Sequence, residues 1–252
     1  MYYVMLSRAQ VLENVYNDNF LPDKLIANPD ALAADTKLRE RCIATSYLEM
    51  HYSFFILNIR SLSKHFLDIC HDMYASKSNH ICLVETWLDP LMSTYQDFQM
   101  ATRNFEHASS GKWKGCATFS STSRQSIHSG AVVKEKYQML SIIDQDVQLF
   151  IVYISKNCSF DELVLDLGKM LKPGKKHVVT GDFNFDMEDK NPLTKYFENL
   201  EFVQVVNSAT HDGGRVIDHC YVPIDIADKV SVKQYSPYYS DHDALCINLN
   251  LN

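Results

Sequence analysis

The sequence predicts an α/β sandwich built on mixed sheets. Apolar runs of strand length outnumber the helical patterns, and the helical patterns fall between groups of those runs rather than in a block of their own. At 252 residues and 46% hydrophobic, the chain can also bury the core of one large domain or two small ones.

Taken in order, residues 1 to 45 differ from the rest, with early Pro and Asn followed by an Ala/Leu-rich helical pattern in "PDALAADTKLRER". "HYSFFILNIRSL" reads as a buried strand ending near Asn58. Leu62, Phe66, Ile69, Cys70 and Met73 recur at helical spacing, which predicts a helix over 62–77. "HICLVETWL" is a second buried strand, ending at Glu85, and strand-like runs follow near 115–120, 128–133, 137–143 and 147–154. "SFDELVLDLGKML" opens with Ser159 and Glu162 in the spacing of a capping box and continues as a helix. A strand then runs into Gly181, a short helix follows Pro192, and strands are expected near 215–222, 229–235 and 244–251.

Lys and Arg number 24 against 31 Asp and Glu, a net charge of -7, so bulk charge does not advertise a nucleic-acid binder. A local cleft that gathers carboxylates around a cation is compatible with that balance. The seven cysteines are dispersed and form no C-x-x-C pair, the pattern of reduced core thiols in an intracellular protein, nuclear or cytoplasmic. "MYYVMLSRAQ" is too short an apolar run for a signal peptide, no stretch approaches the length of a membrane span, and no membrane partner is expected.

Polar residues recur where the apolar runs end. Asn58 follows "FFIL", Glu85 follows "ICLV", Tyr153 closes "LFIV", and Asp182 and Asn184 follow "HVVTG". Asp218 lies in "RVIDHCYV", and Asp241 and His242 lie in "YYSDHDAL". Each has a plain structural reading: Asn58 could cap the helix at 62, Glu85 could be an exposed strand end, Tyr153 could be core, and Asp218 could pair with Arg215. Their joint occurrence at successive strand ends favours a shared site.

In this order and near this spacing, "LNIRSL", "ETWL", "GDFN", the "ID" after an Arg, and "SDHDAL" resemble the endonuclease/exonuclease/phosphatase superfamily over about residues 52 to 251. "LNIRSL" with "ETWL" is most similar to endonuclease domains of non-LTR retrotransposons and related mobile elements. The resemblance implies a four-layer αββα sandwich, two mixed sheets flanked by helices, over 46–252, with the site at the strand ends. It implies a Mg²⁺-dependent phosphodiester hydrolase, with Mn²⁺ as a substitute ion, acting on DNA, and a monomer. Phosphatases, lipid and RNA phosphodiesterases share the motif set, and a catalytically silent binding module is the alternative of a different class.

The chemistry gives each residue type a reason. A phosphodiester repels an anionic nucleophile, and a divalent cation on oxygen ligands offsets that charge. Glu85 is the expected ligand, with Asn58 and Asp241 completing the shell as the resemblance implies. Asp182 is expected to accept a proton from the attacking water, with Asn184 orienting it. His242, held cationic by Asp218, and the Tyr153 hydroxyl are expected to donate to the phosphate. Arg60, Lys156 and Asn157 are the expected substrate contacts. Relatives often carry Pro-Asn or His soon after the Tyr, where this chain has "YISKNCS". The segment 101–130, rich in Ser and basic residues, reads as a DNA-contacting or solvated loop in which Trp113 could stack on a base. Thr210 and His211, in "THDGGR", could approach the substrate, and His219 is expected to face away from Asp218 along its strand.

"YVMLSRAQVLENVY" and "LPDKLIANPDAL" resemble the C-terminal end of superfamily-1 replication helicases of the kind carried by Helitron transposons. In those, the Arg of "LSR", here Arg8, reaches nucleotide phosphates. The chain has no G-x-x-x-x-G-K-[ST] loop, so ATP hydrolysis by it alone is not expected, and a helicase in a parent polyprotein is the implied partner. The plainer reading of residues 1–45 is a helical extension that packs on the sandwich.

Overall fold

The computed structural model of the protein describes residues 51–89, 98–100, 102–109 and 113–251. The helicase-like segment 1–45 lies outside the described residues.

Two six-stranded mixed sheets form the centre. The first contains β1 (His51–Asn58), β2 (His80–Val84), β3 (Arg103–Ala108), β4 (Cys116–Ser121), β11 (Val230–Tyr235) and β12 (Ala244–Asn250), in the order β11-β12-β1-β2-β4-β3. The second contains β5 (Ile127–Val133), β6 (Tyr137–Asp144), β7 (Val147–Ile154), β8 (Lys176–Asp182), β9 (Phe202–Gln204) and β10 (Asp218–Pro223), in the order β5-β6-β7-β8-β10-β9. Each sheet has one parallel pair, β1 with β2 and β7 with β8. Each parallel pair is joined by a helical crossover, as parallel strands require. The first crossover holds α1 (Leu62–His71) and α2 (Met73–Lys77); the second is α3 (Phe160–Met170), beside which lies α4 (Pro192–Asn199).

Alternation along each strand sorts side chains into three apolar layers. Phe54 and Ile56 of β1 face Leu149, Ile151, Val178 and Cys220 of the opposite sheet, whereas Phe55 and Leu57 face Leu62 and Ile69 of α1. On the other side Phe150, Val152 and Val179 meet Leu163, Leu167 and Phe197 of the helices. Strands covered on both faces read as continuous apolar runs, which is why "FFIL", "ICLV" and "LFIV" carry no polar alternation. The architecture is the expected four-layer sandwich.

Several local expectations are corrected. The helix foreseen over 62–77 breaks at Asp72, whose carboxylate leaves the first helix to accept the Tyr74 and Ala75 amides and so starts a second one. Ser159 makes no side-chain capping bond; the capping box in this half of the fold is Asn191 with Thr194. The described part of the segment 101–130 is largely sheet, and two of its basic residues, Arg103 and Arg124, are committed internally. The Arg103 guanidinium donates to the carbonyls of Ala75, Ser76 and Ser78 at the end of α2, and Arg124 pairs with Asp144 at 2.7 Å. The described cysteines are free thiols, four of them buried.

Candidate active site

The interlayer core runs out at one end of the sandwich, and the polar residues begin there. Asn58 and Asp182 are the last residues of β1 and β8, Tyr153 is the penultimate residue of β7, and Asp218 is the first of the antiparallel β10. Register brings three of them side by side: Tyr153 lies opposite Asp182, and Asp182 opposite Asp218. Directly paired residues project from the same face, here into the space between the sheets. Gly181 lets β7 and β8 approach closely before this point. Its φ is +137°, and a Cβ there would lie 2.0 Å from the Val152 carbonyl oxygen.

Asn58 joins the two sheets. Its Nδ2 donates to Asp182 Oδ2 at 2.8 Å, and its carbonyl accepts the Ser240 hydroxyl at 2.7 Å. Asp182 also accepts the Asn184 backbone N–H at 2.9 Å and the Asn184 Nδ2 at 3.2 Å. Asn184 adopts φ +55° and donates as well to the Ile154 carbonyl at 2.8 Å, fixing its amide across the strand ends. Burial, then the nearby Asp218 charge, raise the Asp182 carboxyl well above the ordinary carboxylate range, and the His242 cation only partly opposes them.

His242 and Asp218 form a buried pair, the imidazole Nδ1–H donating to Asp218 Oδ2 at 2.8 Å. Burial alone would lower the imidazole pKa. The hydrogen bond and charge of Asp218, with Asp182 and Asp241 beyond, outweigh it and raise the pKa to about 9. His242 is therefore a cation at neutral pH. Asp218 does not pair with Arg215, which lies instead 3.4 Å from Asp186 and 3.5 Å from Asp189.

Glu85 is half-buried just past β2, with φ +50°; it accepts the Trp87 indole N–H at 3.4 Å, and its charge acts on the Tyr153 hydroxyl. Burial, followed by the charges of Glu85 and Asp182, drives the Tyr153 pKa upward, so this hydroxyl keeps its proton and serves as a donor. Asp241 is ion-paired to Arg60 through Oδ2, and His211 Nε2 lies 3.7 Å from the same oxygen. The Arg60 amide donates to Asn58 Oδ1 at 3.2 Å. Lys156 and Asn157 occupy the exposed turn after β7, close in sequence to Tyr153 but without a hydrogen bond to the cluster.

Thr210, expected to approach substrate, is fully buried: its hydroxyl accepts the Ile217 and Asp218 amides and thereby fixes the start of β10. His211 does reach the site, bridging His242 through the backbone with the rings 4.8 Å apart. His219 faces away, stacked on Phe183 and donating from Nε2 to the Val216 carbonyl, as expected for a structural histidine. Sequence reasoning overlooked Ser240. Its hydroxyl donates to Asn58 and accepts the His242 amide at 3.1 Å, locking two strand ends together. The only signal was its place beside "DHD".

The donor set fits a hard divalent cation. Glu85, Asp182, Asp218 and Asp241 converge at one mouth with His242 and Arg60 as the opposing charges, and Asp241 Oδ1 is buried without a hydrogen-bond partner. Among the described residues, carboxylate and imidazole atoms close enough to share an ion are those of Asp182, Asp218 and His242, and of His211, Asp241 and His242. Oxygen ligands of this kind suit cations that retain several waters.

The model of the Endonuclease/Exonuclease/phosphatase family matches residues 58–242. No curated protein sequence matches the chain significantly. Among solved structures, the 3′ phosphatase NExo from Neisseria bound to a product DNA hairpin is 15% identical. It covers 79% of this chain and 99% of its own at a TM-score of 0.62. The endonuclease domain of TRAS1, a telomere-specific non-LTR retrotransposon, is 12% identical, with 80% and 99% covered and a TM-score of 0.62. An AP endonuclease from Archaeoglobus fulgidus is 15% identical, with 78% and 98% covered and a TM-score of 0.62. At these identities the likeness speaks for the fold, which is the two-sheet sandwich described above.

Proposed function

The chain belongs to the endonuclease/exonuclease/phosphatase family, and from that premise we propose that it is a Mg²⁺-dependent DNA endonuclease associated with a mobile element. The observation that carries the proposal is the joined cluster: Asn58 and Asn184 holding Asp182, beside a cationic His242 held by Asp218. "LNIRSL" and "ETWL", with the fold likeness to a retrotransposon endonuclease domain, support the mobile-element part.

Glu85 would hold the ion with Asn58 and Asp241. When bound, it offsets the phosphate charge during in-line attack. Asp182 takes the proton of the attacking water: burial and Asp218 make it a stronger base than an ordinary carboxylate, and Asn184 and Asn58 fix its oxygens. His242 donates its remaining N–H to the phosphate oxygen where charge develops, with the Tyr153 hydroxyl as a second donor. Arg60, Lys156 and Asn157 would contact the flanking phosphates.

The purified protein is expected to nick or linearise supercoiled plasmid with Mg²⁺ and to be silent in EDTA. Parallel reactions with RNA and inositol phosphates decide the substrate class. Turnover of either in place of DNA would reassign the chain to another branch of the family's chemistry.

The proposed site residues all lie between Asn58 and His242, so a chain shortened to begin at residue 46 is expected to melt and cleave like the full-length protein. This follows from reading residues 1–45 as a helicase terminus attached to a self-contained nuclease. Arg8 should then contact no nucleotide, because a helicase arginine acts only where the rest of an ATP site presents a phosphate. A shortened chain that is unfolded or inactive would make the segment part of the domain.

A further inference from the structure

Both tryptophans of the chain stand together beside Glu85. Trp87 donates its indole N–H to Glu85 Oε2, and the Trp113 ring meets Trp87 edge-on with centroids 4.2 Å apart. The two come from different loops that are stitched by backbone bonds, Trp87 N–H to the Lys114 carbonyl at 2.8 Å and Thr86 N–H to the Gly115 carbonyl at 3.3 Å. The stitching is tight: Gly115 has φ +111°, and a Cβ there would lie 2.3 Å from Thr86 Oγ1. Trp87 and Trp113 themselves adopt φ +54° and +68°, a region that bulky side chains rarely occupy. Yet the result of this arrangement is a Trp113 residue that is 52% exposed. Burial of the ring does not account for the backbone conformation, and such outliers gather at ligand clamps.

We propose that the Trp87–Trp113 pair is a stacking platform for a nucleobase adjoining the phosphodiester held at Glu85, Trp113 offering the ring face and Trp87 fixing it against the site. This rests on the reading of the chain as a DNA phosphodiesterase. The occupant is a base free of its own stack, in a single strand or at an unpaired position. Every base has a π-face, so the contact tolerates any sequence. It also suits a chain of net charge -7, for which counterion release supplies less of the affinity than it does for a basic chain.

The test uses the full chain carrying Asp182→Asn, which is expected to bind but not cleave, with Mg²⁺ and a labelled single-stranded oligonucleotide. Anisotropy reports binding, and tryptophan emission reports the platform alone, because the chain has no other indole. Saturation should quench the emission. Adding Trp113→Ala should weaken binding roughly 5- to 100-fold with an unchanged salt slope, whereas Trp113→Phe should retain most of the affinity. In the active chain, Trp113→Ala should raise KM on oligonucleotides by a similar factor, and Trp113→Phe should hold KM near the parent value. Binding with silent emission and an affinity indifferent to Trp113 would overturn the platform while sparing the nuclease reading. Absence of any DNA binding would defeat that reading and the platform with it. If Trp113→Ala does not fold, the emission titration and the Phe variant decide between these outcomes.

Discussion

His242→Ala is expected to cut turnover on DNA by about a thousandfold, the scale of losing a preorganised donor to developing charge. The expectation follows from the buried pair. Asp218 holds Nδ1, so the other ring N–H remains for the substrate, and the ring stays charged because the carboxylates around it outweigh burial. Asp218→Asn keeps the shape of the partner but gives up its charge, and should lose part of the same energy. The double variant should then fall short of the sum of the single losses, because the two residues act as a unit. Fully additive losses would separate them. The pH profile offers a second reading. Activity that depends on the cation should decline as pH rises through about 9, and that limb should vanish in His242→Ala. Stability follows the same sign. An imidazole whose pKa is raised on folding binds more protons in the native state. Its contribution is complete below the unfolded value of about 6.5 and is lost as pH climbs through about 9.

The residues that meet at the sandwich mouth were legible for a physical reason. A strand buried on both faces is continuously apolar, so its end is marked by the first polar residue. Asn58 and Glu85 announce themselves in this way, and Asp182 follows the close of "HVVTG". What the sequence hides is whatever depends on partners far along the chain. Thr210 and His211 look alike in "THDGGR". Only the bridge between His211 and His242 sends one into the site, while the amides of 217 and 218 draw the other beneath it. Asp72 sits at helical spacing, and nothing local says that its carboxylate will cap a new helix and also accept the Tyr239 hydroxyl 167 positions away. The strand β3 was invisible because "RNFEHA" is an edge strand with alternate residues in water, its basic residue spent on carbonyls of another element. Ser159 and Glu162 have the spacing of a capping box, yet the Ser159 side chain makes no capping bond.

Glu85→Gln is expected to abolish most activity, by at least about a hundredfold at limiting Mg²⁺, together with a measurable weakening of Mg²⁺ binding in a calorimetric titration. Gln has the size of Glu and the same backbone freedom, so the left-handed conformation at this position is no worse. The backbone bond from the Ser61 amide to the residue 85 carbonyl persists. Near-ultraviolet circular dichroism and the melting temperature should therefore match the wild type, which separates loss of the ion from loss of the fold. Raising Mg²⁺ should recover part of the rate, because Asn58 and Asp241 still offer oxygens. Wild-type Mg²⁺ affinity in the variant would sink the assignment. Any remaining loss of activity would then come from the hydroxyl of Tyr153, whose proton Glu85 helps to retain. The ion would belong instead with Asp241, whose buried and unpartnered Oδ1 is the oxygen most in need of one. Asp241→Asn, titrated in the same way, would carry the affinity loss in that case.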